Sequence, residues 1–422
     1  MQKASFVIGL LVIAVGGCGT AATAPAGRPV PATPPSGQAI PGEYIVHARP
    51  GSSPALRAGK LLSTLDLGSQ GRFLLVRADL SASALQRQLE STDVLAVTPN
   101  RSFKLELPRA GATLPVPSLP ESRDPLYEQQ WYLPRVGADR AWQATRGKGV
   151  VAAVVDTGID YNHPDLAGNV VGPGHSFVTG KPDAIDVFGH GTHVAGIIAA
   201  MADNGEGVAG VAPETRLLPI GVLGANGGGS LFAIAAGIKH AADYGEAQKV
   251  HVVINLSLGG PGTAFDPIST AAGAYATGKG ALPVAAAGNS NEGVGTPAKI
   301  QEYYMAVSAI DRDDKKASFS NYGPEIAVGA PGVDIMNTTP TYQCPLNEHG
   351  YARNYAALKG TSMATPVVAG VCALVWSRNP DWTWRQVRDH VARTALDLGK
   401  PGKDDVYGSG LVQAAAAVGA AR

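Results

Sequence analysis

The chain has 422 residues, enough for one large core and a smaller companion domain. Its 34 basic and 34 acidic residues cancel, which leaves no electrostatic footprint for nucleic acid or an anionic surface. With 53 glycines, 31 prolines and three cysteines, the composition suits short turns and close backbone packing, not a disulfide framework.

The N-terminus reads as a targeting segment, kept apart from the fold. A lysine at position 3 precedes the apolar run FVIGLLVIAV, which ends in small residues directly before Cys18. That ending resembles a bacterial lipobox, which makes Cys18 the expected lipidation site of an exported chain; an ordinary secretory signal is the alternative. Residues 19–40 are mostly Ala, Pro, Gly and Thr and read as a flexible tether. After residue 18 no stretch is long and apolar enough to span a bilayer.

Between 41 and 107 the pattern predicts a small α+β domain. Strands are expected over 43–48, 72–77 and 94–97, helices over 54–65 and 83–91, and an extended tail over 102–107. A Pro-rich linker, 108–123, follows. From 124 to 422 the runs 150–155, 217–223, 252–258 and 282–287 lack polar alternation, as central parallel strands buried on both faces do. Helical patterns at 192–201, 230–244 and 269–277 lie between them. The prediction is a doubly wound parallel α/β sheet with helices on both faces, whose ligands bind beyond the carboxyl ends of the strands. Asp156 ends one strand and Asn289 closely follows another.

Three short motifs carry the chemistry. Asp156 stands in VVAAVVDTGID, His190 in FGHGTHVAG and Ser362 in GTSMATP, where a glycine turn delivers one serine to an apolar helix. A serine hydroxyl is a nucleophile only when a neighbouring base takes its proton. His190 and His193 are both candidate bases by spacing; Asp156 and Asp160 are both candidate partners of the base.

In the order Asp, His, Ser these motifs resemble the subtilisin-like serine proteases (peptidase S8, thermitase-like). The resemblance implies a doubly wound subtilisin-like fold for 124–422 and a serine endopeptidase acting through Asp156, His190 and Ser362. It implies Asn289 as oxyanion donor and Ser257, Leu258, Gly259, Ala286, Ala287, Gly288 and Gly295 as the peptide-binding walls, with Gly295 near the pocket floor. No acid is evident in that pocket, so large apolar residues are the expected preference. The resemblance further implies that 41–107 is an inhibitory propeptide, approaching its end at Val97-Thr98-Pro99-Asn100, and that the linker is cut in a self-processed zymogen.

A structural calcium ion is the cofactor the resemblance implies. Its side-chain ligands are Asp124, Asp165 and Asn204, with carbonyls from Met201, Glu206 and Val208. Asp124 is expected to join only after the linker is cut. The expected partners are polypeptide substrates and the chain's own propeptide. A monomer is expected, with no nucleic-acid partner, and membrane contact only through a lipid on Cys18. Cys344 and Cys372 are read as thiols, with a disulfide between them left open. An α/β-hydrolase would show Gly-x-Ser-x-Gly and the order Ser, acid, His, which this chain does not. A catalytically silent surface-binding lipoprotein on a protease fold is the remaining alternative.

Overall fold

The computed structural model describes residues 34–56, 58–89, 93–105, 124–261 and 266–420. The signal, Cys18, most of the tether and the 108–123 linker lie outside the described residues. Two blocks of secondary structure follow one another in the chain.

The first is an antiparallel sheet with one helix. Strands β1 (Ala39–Ala48), β2 (Lys60–Asp66) and β3 (Arg72–Arg77) precede helix α1 (Ala82–Gln88), and β4 (Val94–Lys104) closes the block. The strand order is β2-β3-β1-β4. Alternate residues Val46, Ala48, Leu74 and Val76 form a small core with Leu85 and Leu89 of the helical segment. The expected helix over 54–65 is corrected: its second half is β2, paired antiparallel to β3 from Lys60 opposite Arg77 to Asp66 opposite Arg72. The tight turn through 67–71 brings the two strands together, and pairing with β3 overrides the weak helical propensity of KLLSTLD.

The second block is doubly wound. Two short helical turns, α2 (Tyr132–Val136) and α3 (Ala138–Ala141), lead into β5 (Val150–Asp156). There follow β6 (His175–Ser176), α4 (His190–Ala199), β7 (Arg216–Gly221), β8 (Gly228–Ser230), α5 (Leu231–Gln248), β9 (His251–Leu256), α6 (Pro267–Gly278) and β10 (Leu282–Ala286). Then come β11 (Met305–Ile310), β12 (Ile326–Pro331), the pair β13 (Ile335–Thr339) and β14 (Asn354–Leu358) flanking α7 (Pro345–Glu348), and finally α8 (Thr361–Arg378), α9 (Trp384–Arg393) and α10 (Ala414–Val418).

Seven strands form one parallel sheet in the order β12-β11-β10-β9-β5-β7-β6. The missing polar alternation has a direct cause in β5. Val150, Ala152 and Val154 enter a core with α4 and α8, whereas Val151, Ala153 and Val155 enter another with α5 and α6. Every residue of β5 is therefore buried. Helix α8 is enclosed from Thr361 to Trp376, as an all-round apolar helix must be. The chain order reverses at β5, so the topological switch point lies at Asp156.

The two blocks share hydrogen bonds. Strand β4 continues onto the edge strand β8, pairing Ser102 with Ser230, Phe103 with Gly229 and Lys104 with Gly228. The Leu105 N–H then donates to the Gly227 carbonyl. Ahead of β1, Gly37 N–H donates to Ser102 O and Ser102 N–H to Gln38 O, so residues 35–38 run beside the tail. Among the described residues no helix is long and apolar enough to cross a membrane.

Candidate active site

Asp156 occupies the last position of β5, and His190 the first of α4, after Gly189. The structure places His190 Nδ1 2.8 Å from Asp156 Oδ1 and 3.0 Å from Oδ2, with both side chains fully buried. Thr157 N–H also donates to Asp156 Oδ1, at 2.7 Å. His190 Nε2 is buried and has no hydrogen-bond partner among the described residues, so one ring nitrogen is fixed and the other stays available.

The two rivals lie elsewhere. His193 Nε2 faces the carbonyls of Ile335 and Ala356 at 3.0 and 3.1 Å, and burial pushes its imidazole down to about 3. It is therefore a neutral tie between α4 and the β13–β14 pair. Asp160 accepts the N–H and hydroxyl of Thr341, at 2.9 and 2.8 Å, and so holds a loop.

Ser362 is the second residue of α8, where backbone N–H groups lack an intrahelical partner. Gly360 precedes the helix at φ 149°, and an added Cβ there would stand 3.5 Å from Asn289 Nδ2. Four residues after Ser362 stands Pro366, which has no N–H to close the usual turn. The freed Ser362 carbonyl instead accepts the Ser257 hydroxyl at 2.8 Å, and the Ser362 hydroxyl donates to Ser257 O at 3.0 Å. Asn255 Nδ2 supports Ser257 Oγ at 2.9 Å.

Asn289 lies on the other side of the same turn. Its Oδ1 accepts the N–H and the hydroxyl of Thr361, at 2.8 and 2.9 Å, which leaves the amide nitrogen as its free-facing donor end. Asn321 clamps the supporting loop, donating to Ala287 O and Gly293 O and accepting from Ser290 and Glu292 N–H.

His190, Ser362 and Asn289 line one groove of about 310 Å³. Leu258, Gly259, Ala286 and Gly288 line it as well, whereas Ser257, Ala287 and Gly295 stand behind it. Gly295 is wedged where an added Cβ would approach Gly260 O to 2.6 Å. Glu292, Lys299 and Lys359 also line the wider groove. Pro35, Ser36, Phe103, Lys104 and Leu105, from the N-terminal part of the chain, also line it.

At the far end of α4, Asp124 accepts backbone N–H groups of Asp203, Asn204 and Gly205, and Asp165 accepts Asn204 Nδ2 at 2.8 Å and Val208 N–H at 2.9 Å. Burial raises both carboxyls above their ordinary range. Asp124 makes these bonds in the uncut chain. The two acids and Asn204 are oxygen-bearing residues of the kind a calcium ion takes; here Asn204 turns its amide nitrogen to Asp165 and its Oδ1 to Glu206 N–H. Cys344 and Cys372 are buried free thiols, and burial raises the second to about 12.

The profile of the subtilase family matches residues 147–410, which contain the Asp156–His190 pair, Asn289 and Ser362. The chain belongs to the subtilase family. The M-protease of Shouchella clausii is 42% identical over 364 residues, covering 80% of this chain and 88% of that protein. Subtilisin Savinase of Lederbergia lenta is 46% identical over 291 residues, covering 68% of this chain and 97% of its own length. A protease of Pseudoalteromonas arctica superposes with a TM-score of 0.61 at 32% identity, covering 71% of this chain and 98% of that one. The subtilase is thus a serine endopeptidase of the S8 family acting on polypeptides.

Sequence patterns passed over Asp186 and Asn321, because neither stands in a reactive motif. Only the hydrogen bonds they collect mark them.

Proposed function

We propose that this subtilase hydrolyses peptide bonds through Ser362, His190 and Asp156, and that it is made as a self-inhibited precursor. The observation that carries the reading is the buried Nδ1–carboxylate contact of 2.8 Å, with Nε2 left without a partner among the described residues in the groove that Ser362 lines. His190 Nε2 takes the Ser362 proton as Oγ attacks the scissile carbonyl, and later gives it to the leaving amine. Asp156 holds the imidazole in the required tautomer and stabilises its cation. Water then attacks the acyl-enzyme with His190 again as base, and Ser362 regains its proton.

The tetrahedral oxyanion is met by Asn289 Nδ2 and the Ser362 N–H. Losing one such donor costs about 10²–10³-fold in turnover, a figure that comes from subtilisin itself. Substrate lies against Leu258 and Gly259 as an added strand, its side chain before the scissile bond beside Ala286 and Gly288. Glu292, Lys299 and Lys359 make the groove's rim mixed in charge.

The precursor reading draws its support from β4. Its tail pairs with β8, and Leu105, just beyond that pairing, lines the groove that His190 and Ser362 line, where a bound peptide would lie. Residues 41–107 would then be the inhibitor, with the cut in the linker. Export follows from the N-terminal pattern, with a lipid on Cys18. A bound calcium ion would be held by Asp124, Asp165 and Asn204 with the Met201, Glu206 and Val208 carbonyls, and would supply fold stability, taking no part in the chemistry. Ser362→Ala should abolish both casein hydrolysis and self-cleavage; continued self-cleavage would defeat the assignment.

A further inference from the structure

Asp186 has a denser set of donors than a structural turn requires. Its side chain is buried, and burial drives its carboxyl up while the donors around it oppose that drift. Oδ1 accepts the Thr157 hydroxyl at 2.8 Å, Phe188 N–H at 2.9 Å and Gly189 N–H at 2.7 Å. Oδ2 accepts the N–H and the hydroxyl of Thr192, at 2.8 and 2.6 Å. Burying a carboxylate is costly unless it is so bonded.

Each donor belongs to a residue flanking the base or its partner. Thr157 follows Asp156 and donates its N–H to that carboxylate; its hydroxyl also accepts Gly191 N–H at 2.9 Å. Phe188 and Gly189 precede His190, and Thr192 stands in the first turn of α4. Asp186 therefore ties the end of β5 to the start of α4 across the gap that the His190–Asp156 bond spans. The outer side is braced by the 340–353 loop: Tyr342 OH donates to Asp186 O at 2.7 Å and Leu346 N–H to Phe188 O at 2.9 Å.

We propose that Asp186 is a positioning residue that sets the His190–Asp156 geometry through Thr157, Gly189 and Thr192. The proposal rests on His190 being the base. Asparagine at this position keeps the shape but replaces one acceptor oxygen with an N–H₂ that faces donors. A displacement of about 1 Å in a reacting group can cost 10²-fold, so Asp186→Asn should lower kcat roughly 10–100-fold with KM within about twofold. Rates are taken per active site titrated with a serine-directed phosphonate, so misfolded chains do not count.

A milder pair separates positioning from folding. Thr157→Val deletes the bridging hydroxyl and should lower kcat at unchanged KM; Thr157→Ser restores the hydroxyl and should return kcat to near wild type. In full-length Ser362→Ala protein the downfield Nδ1 proton of His190 should shift or broaden with Asp186→Asn or Thr157→Val. Unchanged kcat in Thr157→Val, or an unmoved Nδ1 resonance in both variants, overturns the proposal, as does a serine variant as slow as the valine one. The resonance needs no turnover. Wild-type protein that titrates no active site would instead sink the triad reading.

Discussion

Removing the Ser257 hydroxyl tests how the α8 turn is held. The Ser362 carbonyl is buried, and Pro366 denies it the N–H that any other residue would supply four positions on. Ser257 Oγ supplies the donor at 2.8 Å and itself accepts from Asn255 Nδ2 at 2.9 Å. Ser257→Ala leaves both groups unsatisfied, at a cost of about 1–3 kcal/mol. With an unfolding entropy of about 2 cal/mol/K per residue, a domain of roughly 300 residues loses about 1.6 °C of Tm per kcal/mol, hence about 2–5 °C. The decisive comparison is made in Pro366→Ala, where the new N–H can reach Ser362 O. There Ser257→Ala should cost about 1 kcal/mol less, with only Asn255 still short of a partner. Thermal melts of the four variants in full-length Ser362→Ala protein, where self-digestion is blocked, read the coupling. An equal loss in both backgrounds would refute the idea that Pro366 created the need for Ser257.

Three further outcomes follow from particular residues. His193 is depressed to about 3 in the folded chain, so its contribution is present above the ordinary histidine range and is lost as pH falls from about 6.5 to 3. Replacing it with glutamine should flatten the acid side of the stability curve in that window, and an unaltered slope would contradict its burial as a neutral ring; the raised carboxyls run in the opposite sense, so the variant is compared with wild type. Chelator should lower Tm by mass action, and Asp165→Asn should abolish that sensitivity; equal melting with and without chelator would remove the calcium proposal. Phe103→Asp should weaken the tail's hold, because Phe103 lies against Gly260, and excess peptidase activity before processing is the readout; unchanged latency would show that the tail is not the inhibitor.

Much of this was legible in the chain because buried parallel strands and reactive turns leave unbroken local patterns. The β5 run placed Asp156 at a strand end without any structure. Residues 54–65 were misread because Lys60 to Asp66 takes its form from β3, a partner beyond the next turn. The choice between His190 and His193 could not come from spacing, since both lie on the first turns of α4; the Asp156 carboxylate at one and the carbonyls of Ile335 and Ala356 at the other separate them. Asp186 and Asn321 were silent for a similar reason: their importance lies in donors gathered from several segments. Glu292 reached the groove through a loop that strand periodicity does not describe.

The central claim is that Ser362 is the nucleophile activated by His190. Labelling the active protein with a serine-directed phosphonate and mapping the adduct by peptide mass spectrometry tests it most directly. A single adduct on Ser362, lost in His190→Ala, is the result predicted here. Full inactivation with the label on another residue, or undiminished labelling of Ser362 in His190→Ala, would contradict it.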